Sequence, residues 1–222
     1  MPPAANSPRV IVPVKGLDAA KSRLAGVLPH AQRQGLVLAM LSDVLAALGA
    51  AGLDNVDVLS PDRRVLAFAA ACGARPLQQL NPGRTLAQAV DDVAASIDVD
   101  ALLVLHADLP RVTADELTAL LACDGEDQTH AGGGREVILA PDHAGQGTNA
   151  LLRRPARAIP ALFGPDSKIN HMNAARLAGV RCVVRTLPGL AHDLDTPVDL
   201  AHFRACIGET HTHEFLRRMT NY

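Results

Sequence analysis

The chain has 222 residues, carries a formal net charge of −2 at pH 7, and is 48% hydrophobic with only 2% aromatic residues. This length suits one α/β domain with a largely aliphatic core. The near-neutral charge and the scarcity of aromatic rings argue against a protein that binds nucleic acid through basic surfaces or base stacking.

Strand-like and helix-like segments alternate in the first third of the chain. The apolar spacing of Val37, Leu41, Val44 and Leu48 predicts one buried helix face. The expected elements are a strand at 9–14, a helix at 31–50, a strand at 56–60, a helix from 62 to 71 and a weak strand at 75–78.

A glycine-containing basic loop follows the first strand. The loop, residues 12–24, carries Lys15, Lys21 and Arg23. The end of a strand in an α/β sheet is where such proteins hold phosphate, and three cations can neutralise several phosphate oxygens. The loop therefore indicates a protein that handles a nucleotide.

The middle of the chain holds the strongest strand signal. Thr85 and Gln88 form a capping-box pattern that opens a helix ending near residue 97. The apolar run at 101–106 predicts a buried strand, and a second capping box begins at Thr113. Asp108 lies between that strand and that helix, a position where α/β sheets bind ligands.

The second half of the chain predicts a mixed sheet. The polar, glycine-rich stretch at 123–134 is typical of a mobile surface loop, and two strands that read as an antiparallel pair follow it. The further expected elements are strands at 136–140 and 148–152, helices at 157–162 and 170–178, a strand at 180–186 and a helix beginning at Thr196.

The pattern predicts one domain and no linker. We expect a flexible N-terminus at residues 1–8, a single domain at 9–207 and a loosely held tail at 208–222. No run of about 18 apolar residues or signal-peptide pattern is evident, so we expect a cytoplasmic protein. The cysteines are scattered, so we expect reduced thiols: Cys72, Cys123, Cys182 and Cys206.

Carboxylates follow two predicted strands that are far apart in the sequence. Asp108 follows one, and the pair Asp193 and Asp195 follows the other. Two carboxylates with a basic loop are sufficient for magnesium-assisted nucleotidyl transfer. Taken singly, each aspartate is also explained by local structure, Asp108 as a turn residue and Asp195 as a neighbour of the helix start at Thr196.

Five segments together resemble one enzyme family. In order and near-matching spacing they resemble the phospholactate/phosphoenolpyruvate guanylyltransferases of coenzyme F420 biosynthesis, over about residues 10–203. They are the basic loop, A-D-L-P at 107–110, G-T-N-A-L-L at 147–152, F-G-P-D-S at 163–167 and D-L-D-T-P-V-D-L at 193–200.

The resemblance implies a fold and a reaction. The expected fold is the Rossmann-like nucleotidyltransferase fold of glycosyltransferase-A type, an α/β/α sandwich with a mixed sheet. A three-carbon phosphorylated acid attacks the α-phosphorus of GTP and releases pyrophosphate. Members use phosphoenolpyruvate, 2-phospho-L-lactate or 3-phospho-D-glycerate, and a downstream transferase of the F420 pathway takes the product. A homodimer would suit the family.

The resemblance also implies which residues hold the nucleotide and the metal. Asp108 and Asp193 match the Mg²⁺ ligands of the family. Lys15, Lys21 and Arg23 resemble its triphosphate-binding loop and are the expected catalytic cations.

The acceptor acid is expected to meet a second set of residues. Thr148, Gly164 and Ser167 match the family's contacts to the acceptor phosphate. The turns at 60–62 and 81–83 lie where such folds hold base and ribose, but G-R-T-L at 83–86 departs from the usual glycine-leucine-asparagine pattern. The residues that read guanine therefore stay open.

Two other functions remain open at this point. A nucleotidyltransferase of the same fold that acts on a molybdenum cofactor or a sugar phosphate would accept CTP or UTP. A non-catalytic GTP-binding subunit would bind GTP without releasing pyrophosphate. His106, His171 and His192 flank the site segments, and each is more simply explained as structural.

Overall fold

The computed structural model describes residues 7–81, 83–122 and 134–220. Most of the expected flexible N-terminus and of the glycine-rich loop at 123–134 lies outside these residues. So does Cys123, whereas Cys72, Cys182 and Cys206 are free thiols.

Seven strands form one mixed sheet in the order β3-β2-β1-β4-β6-β5-β7. They are β1 (Arg9–Pro13), β2 (Val56–Ser60), β3 (Arg75–Gln78), β4 (Leu102–Leu105), β5 (Glu136–Pro141), β6 (Thr148–Arg154) and β7 (Arg181–Val184). Among these strands only β6 runs antiparallel to its neighbours, β4 and β5. The predicted mixed sheet and its antiparallel pair are therefore confirmed.

Helices cover both faces of the sheet. They are α1 (His30–Ala50), α2 (Arg63–Ala71), α3 (Leu86–Ser96), α4 (Ala114–Leu121), α5 (Ser167–Leu177), α6 (Pro188–Ala191), α7 (Pro197–Ala205) and α8 (His211–Thr220). Alternate strand residues face opposite layers, as the strand period of two requires: Leu103 packs in the core with α1 and α4, whereas Leu102 packs in the core with α3 and α5. The predicted α/β/α sandwich is confirmed.

The sheet topology creates a crevice at one edge. β1 pairs in parallel with β2 on one side and with β4 on the other, so the chain winds outward in both directions from β1. Ligands of open α/β sheets bind at the carboxyl ends of strands where the winding reverses. The antiparallel β6 begins at this same edge, because its Ala150 pairs with the last residue of β4, Leu105.

Local sequence signals set several helix starts. Thr85, Thr113 and Thr196 each cap a helix in a full capping box, as the pattern predicts. The helix expected at 157–162 is wrong, since residues 157–159 form a turn and a bend and residues 160–162 have no regular structure. Pro160 cannot donate a helical N–H, and side chains take over the backbone bonding: Arg153 donates to the Ile159 carbonyl at 2.9 Å.

Helix α1 is a core helix. Its length and mean hydropathy would also allow a membrane span. Leu36, Leu41, Val44 and Leu48 on it are fully buried within the protein, which is the pattern of a helix that packs against a sheet.

The C-terminal residues dock on α1, unlike the loosely held tail that we expected. Asp43 of α1 is buried and accepts the N–H of His211 at 2.6 Å and that of Thr212 at 3.0 Å, which satisfies the start of α8. The ring of Phe215 packs against Gly35, where an added Cβ would lie 2.6 Å from it. The sequence analysis missed this helix, although Phe215, Leu216 and Met219 recur at helical spacing and pack against the core.

We predict that Asp43→Ala lowers the free energy of unfolding by about 1–3 kcal/mol, since two N–H groups lose their acceptor. Urea denaturation followed by circular dichroism measures the change. Asp54→Ala, which removes an exposed carboxylate, is the matched control and should change stability little. Equal stability of the two variants would contradict the role given to Asp43.

Candidate active site

One cavity of about 540 Å³ opens at the carboxyl ends of β1 and β4. Its size lies in the range of small-molecule sites. The eight residues singled out from the sequence all line it: Lys15, Lys21, Arg23, Asp108, Thr148, Gly164, Ser167 and Asp193. Residues from five separate segments therefore meet in one place.

The basic loop enters the cavity through Lys21. This residue has a left-handed backbone (φ 45°, ψ 50°), which is uncommon for a side chain with a Cβ. Its Nζ donates to Asp108 Oδ2 at 2.7 Å and to Asp195 Oδ1 at 3.0 Å. Arg23 donates to the other oxygen of Asp195 at 2.8 Å. Lys21 thus joins the loop to both acidic segments.

The start of the basic loop is held by Asp62. This residue accepts the Leu17 N–H at 2.9 Å and also the Arg64 N–H at the start of α2. Hydrogen bonding from Arg64, with a smaller opposing effect of burial, lowers the pKa of Asp62 to about 2. We expected the turn at 60–62 near base and ribose, but its Asp62 has a structural role. From the second turn region, Leu86 lines the cavity.

Charge pairing governs ionisation at the bottom of the cavity. Burial alone would lower the pKa of Lys21, but Asp108 and Asp195 raise it. Burial would raise the pKa of Asp108, yet the Lys21 ammonium lowers it to about 2. Lys21 and Asp108 are therefore a charged pair at neutral pH.

Three hydrogen bonds hold the segment that carries Asp193 beside Asp108. The Leu194 N–H donates to the Asp108 carbonyl at 3.0 Å. Asn149 Nδ2 donates to the Leu190 carbonyl at 2.9 Å and to Asp193 Oδ1 at 3.3 Å. Burial and the Asp108 charge raise the pKa of Asp193. Asn149 is a residue that the sequence did not single out, although it lies within the G-T-N segment.

The local interpretation of Asp195 does not hold. Asp199, and not Asp195, completes the cap of α7, because Asp199 Oδ2 accepts the Thr196 N–H at 2.7 Å. The side chain of Asp195 instead faces Lys21 and Arg23. Asp195 therefore belongs with the charged groups of the cavity.

The acidic groups suit a magnesium ion. Asp108 Oδ1 is buried and has no hydrogen-bond partner among the described residues. Within the described chain no three His, Cys, Asp or Glu side chains form a ready-made metal cage. Magnesium binds through one or two carboxylates and keeps its other positions for water and phosphate oxygens, so Asp108 and Asp193 fit this ion.

Three residues that line the cavity, Thr148, Gly164 and Ser167, offer groups for an anion, and we call them the acceptor wall. Thr148 is the first residue of β6, and Ser167 is the first residue of α5. Gly164 has φ +134°, a backbone conformation that side chains rarely adopt. His171 contacts this wall from behind: its Nδ1 lies 3.1 Å from Thr148 Oγ1, and its Nε2 accepts the Leu162 N–H at 2.8 Å.

Aromatic contacts fix the loop that carries Gly164. The ring of Phe163 lies 5.1 Å from that of His106 and 5.3 Å from that of His171, centroid to centroid. His106 also lines the cavity, and its buried Nε2 has no hydrogen-bond partner among the described residues. Burial lowers the pKa of His106, so its imidazole is neutral at pH 7.

The chain matches known proteins over nearly its full length. The family model described as "Guanylyl transferase CofC like" matches residues 8–221. A phosphoenolpyruvate guanylyltransferase of Rubrobacter xylanophilus is 44% identical over 204 residues, which cover 89% of this chain and 94% of the relative.

Solved structures share the fold. A structure from Desulfovibrio desulfuricans G20, proposed to be a nucleotide-diphospho-sugar transferase, matches with a TM-score of 0.72 at 16% identity and covers 97% of this chain and 96% of its own. A cytidylyltransferase from Leptospira borgpetersenii matches with a TM-score of 0.62 at 12% identity, covering 97% and 94%. At these identities the likeness extends to the fold alone.

We predict that the protein loses stability as the pH falls from about 6.5 towards 4. Burial, followed by the nearby Arg153 charge, lowers the pKa of His171 from 6.5 to about 4. Between these values the unfolded chain binds a proton that the folded chain does not, so stability falls as the pH falls. Thermal unfolding as a function of pH measures the effect, and His171→Gln should reduce the slope in this window. An unchanged slope would contradict the prediction.

Proposed function

The chain belongs to the CofC-like guanylyl transferase family, and from this we propose that it transfers GMP from GTP to phosphoenolpyruvate. A phosphate oxygen of the acceptor forms a bond to the α-phosphorus of GTP. The bond from that phosphorus to the bridging oxygen breaks, and pyrophosphate leaves. The product joins the acid to guanosine through a diphosphate.

The observation that carries the proposal is that two sets of groups line one cavity. The cations of the basic loop and the carboxylates form one set, and the acceptor wall, with its hydroxyl groups and glycine backbone, forms the other. The first set suits a triphosphate with its metal ion, and the second suits a small anion. Their presence in one cavity supports a reaction between a nucleotide and a phosphorylated acid.

The chemistry needs no general base. The attacking phosphate oxygen is already ionised at neutral pH, so no proton has to be removed from it. The chain's task is to align the two phosphates and to neutralise the negative charge that collects on the α-phosphate and on the departing pyrophosphate. Lys15, Lys21 and Arg23 are the cations proposed for that neutralisation.

Asp108 and Asp193 are proposed to hold the magnesium ion. When bound, the ion supplies positive charge to phosphate oxygens. Asn149 keeps Asp193 in place through its 3.3 Å hydrogen bond, and Lys21 keeps Asp108 ionised. Both contacts are made by the protein's own side chains, and both aspartates line the cavity.

The product identifies the class of reaction that must follow. A mixed diphosphate between an acid and guanosine is an activated donor, and GMP is its natural leaving group. We propose that a second transferase consumes it in coenzyme F420 biosynthesis, as the sequence resemblance implies.

The acceptor is tested by incubating the protein with GTP, Mg²⁺ and each of three acids: phosphoenolpyruvate, 2-phospho-L-lactate and 3-phospho-D-glycerate. We expect the highest kcat/KM and the corresponding product mass with phosphoenolpyruvate. A higher kcat/KM with either other acid would replace the proposed acceptor. Pyrophosphate release with CTP or UTP in place of GTP would contradict the proposed nucleotide.

We predict that Asp108→Asn and Asp193→Asn each lower kcat/KM by roughly 100-fold to 1,000-fold, because charge stabilisation at the reacting phosphates is lost. Pyrophosphate release at saturating Mg²⁺ measures the effect. Asp115→Asn, at an exposed position on α4, is the matched control and should retain full activity. Near-normal turnover of both site variants would exclude these two residues as metal ligands.

A further inference from the structure

His171 is a buried histidine of which both ring nitrogens are engaged. Nε2 lies 2.8 Å from the Leu162 nitrogen, and Nδ1 lies 3.1 Å from Thr148 Oγ1. The two partners differ in kind, because a backbone N–H can only donate whereas a hydroxyl can donate or accept. The backbone partner therefore determines the state of the imidazole.

The hydrogen-bond inventory leaves one tautomer. Since the Leu162 N–H donates to Nε2, this nitrogen must present its lone pair. A neutral imidazole then carries its only hydrogen on Nδ1. Nδ1–H is consequently the donor towards Thr148 Oγ1. The Ser167 backbone also forms a hydrogen bond with the ring and raises the pKa of His171, against the larger lowering by burial.

This assignment frees the hydroxyl hydrogen of Thr148. The hydrogen cannot point at Nδ1, because that nitrogen already carries one. Thr148 is almost fully buried, and it lines the cavity. An anionic oxygen bound in the cavity can accept this hydrogen.

The segments that carry the three acceptor-wall residues are each connected to this imidazole. Thr148 accepts the Nδ1 hydrogen. Leu162 lies two residues before Gly164, so its bond to Nε2 holds the segment that carries Gly164. Ser167 lies four residues before His171 on α5, which is one helical turn away. The ring of Phe163 packs against that of His171 at 73°, so the imidazole is fixed in orientation.

We propose that His171 is a positioning residue that turns the Thr148 hydroxyl hydrogen towards a phosphate or carboxylate oxygen of the acceptor acid. His171 itself does not touch the acceptor, and it acts through Thr148 and through the backbone of Leu162. The inference rests on the proposed function, since it assigns an anionic acceptor to this wall.

Two substitutions separate the two bonds of the imidazole. In His171→Asn, the side-chain amide nitrogen falls near the position of Nδ1 and can still donate to Thr148. In His171→Gln, the longer side chain brings an amide oxygen near Nε2 that can still accept from Leu162, but the donor to Thr148 is lost. The pair thus removes one bond at a time.

We expect His171→Gln to raise KM for phosphoenolpyruvate about 10-fold or more with KM for GTP unchanged, since a hydrogen bond to a charged group is lost. Thr148→Val should have a similar effect, and the double variant should be no worse than either single one. His171→Asn should change the acceptor KM less than His171→Gln does. His202→Gln, at an exposed histidine outside the cavity, is the matched control.

A merely structural histidine would give another result. Both His171 variants would then raise the two KM values together and lower the unfolding temperature in parallel, and their effects would add to that of Thr148→Val. Either an additive double variant or an equal rise in both KM values would overturn the proposal.

The tautomer is tested without any turnover. In ¹⁵N spectra of the ring-labelled wild-type protein at pH 7, we expect a protonated Nδ1 and an unprotonated Nε2 for His171. Thr148→Val should shift the Nδ1 resonance most. The opposite tautomer would overturn the proposal, even if the substituted proteins failed to fold.

The experiments also distinguish failure of the proposal from failure of the proposed function. If wild-type protein turned over phosphoenolpyruvate and His171→Gln left its KM unchanged, only the role of His171 would fall. If no acid were turned over, the proposed function would fall. Calorimetric binding of phosphoenolpyruvate to wild-type and His171→Gln protein would then still decide the role of His171.

Discussion

The cavity depends on one buried cation. The Lys21 ammonium lies between Asp108 and Asp195, and it joins the loop after β1, the end of β4 and the segment before α7. A charge out of water is tolerated only when partners compensate it, so these three segments must come together in this arrangement. The left-handed backbone at Lys21 is a local strain that these contacts maintain. Removing one carboxylate would leave a buried charge without full compensation.

The antiparallel strand β6 supplies the other half of the cavity. Parallel strands reach the crevice with their carboxyl ends, whereas β6 begins there, so its first two residues enter the site directly. Thr148 is part of the proposed acceptor wall, and Asn149 donates a hydrogen bond to Asp193. Two adjacent residues of β6 thus contribute to the acceptor wall and to the proposed metal site. The imidazole of His171 then couples Thr148 to the loop at 162–164, which makes the acceptor wall a single hydrogen-bonded unit.

Much of the fold followed from local patterns. The run at 101–106, the capping boxes at Thr85 and Thr113, and the strand pair at 136–152 were predicted from periodicity and helix-start chemistry. The errors arose where side chains from elsewhere replaced local bonding. Arg153 and Asp91 bind the backbone of the segment expected to be a helix, and Asp43 of α1 holds the start of helix α8, which we expected to be a loose tail.

The sequence by itself determined which chemical groups are present and the local elements that carry them: the cations of residues 12–24, the strand-end aspartates and the G-T-N segment. It also indicated the family, through the order of its motifs. Only the tertiary structure decided which of these groups meet. The pairing of Lys21 with Asp195 and the contact of Asn149 with Asp193 each depend on atoms from distant segments. The tautomer of His171 depends on a bond from a residue outside its own helix. Hydrogen bonds and ion pairs act over a few ångströms, so no spacing along the chain could specify them.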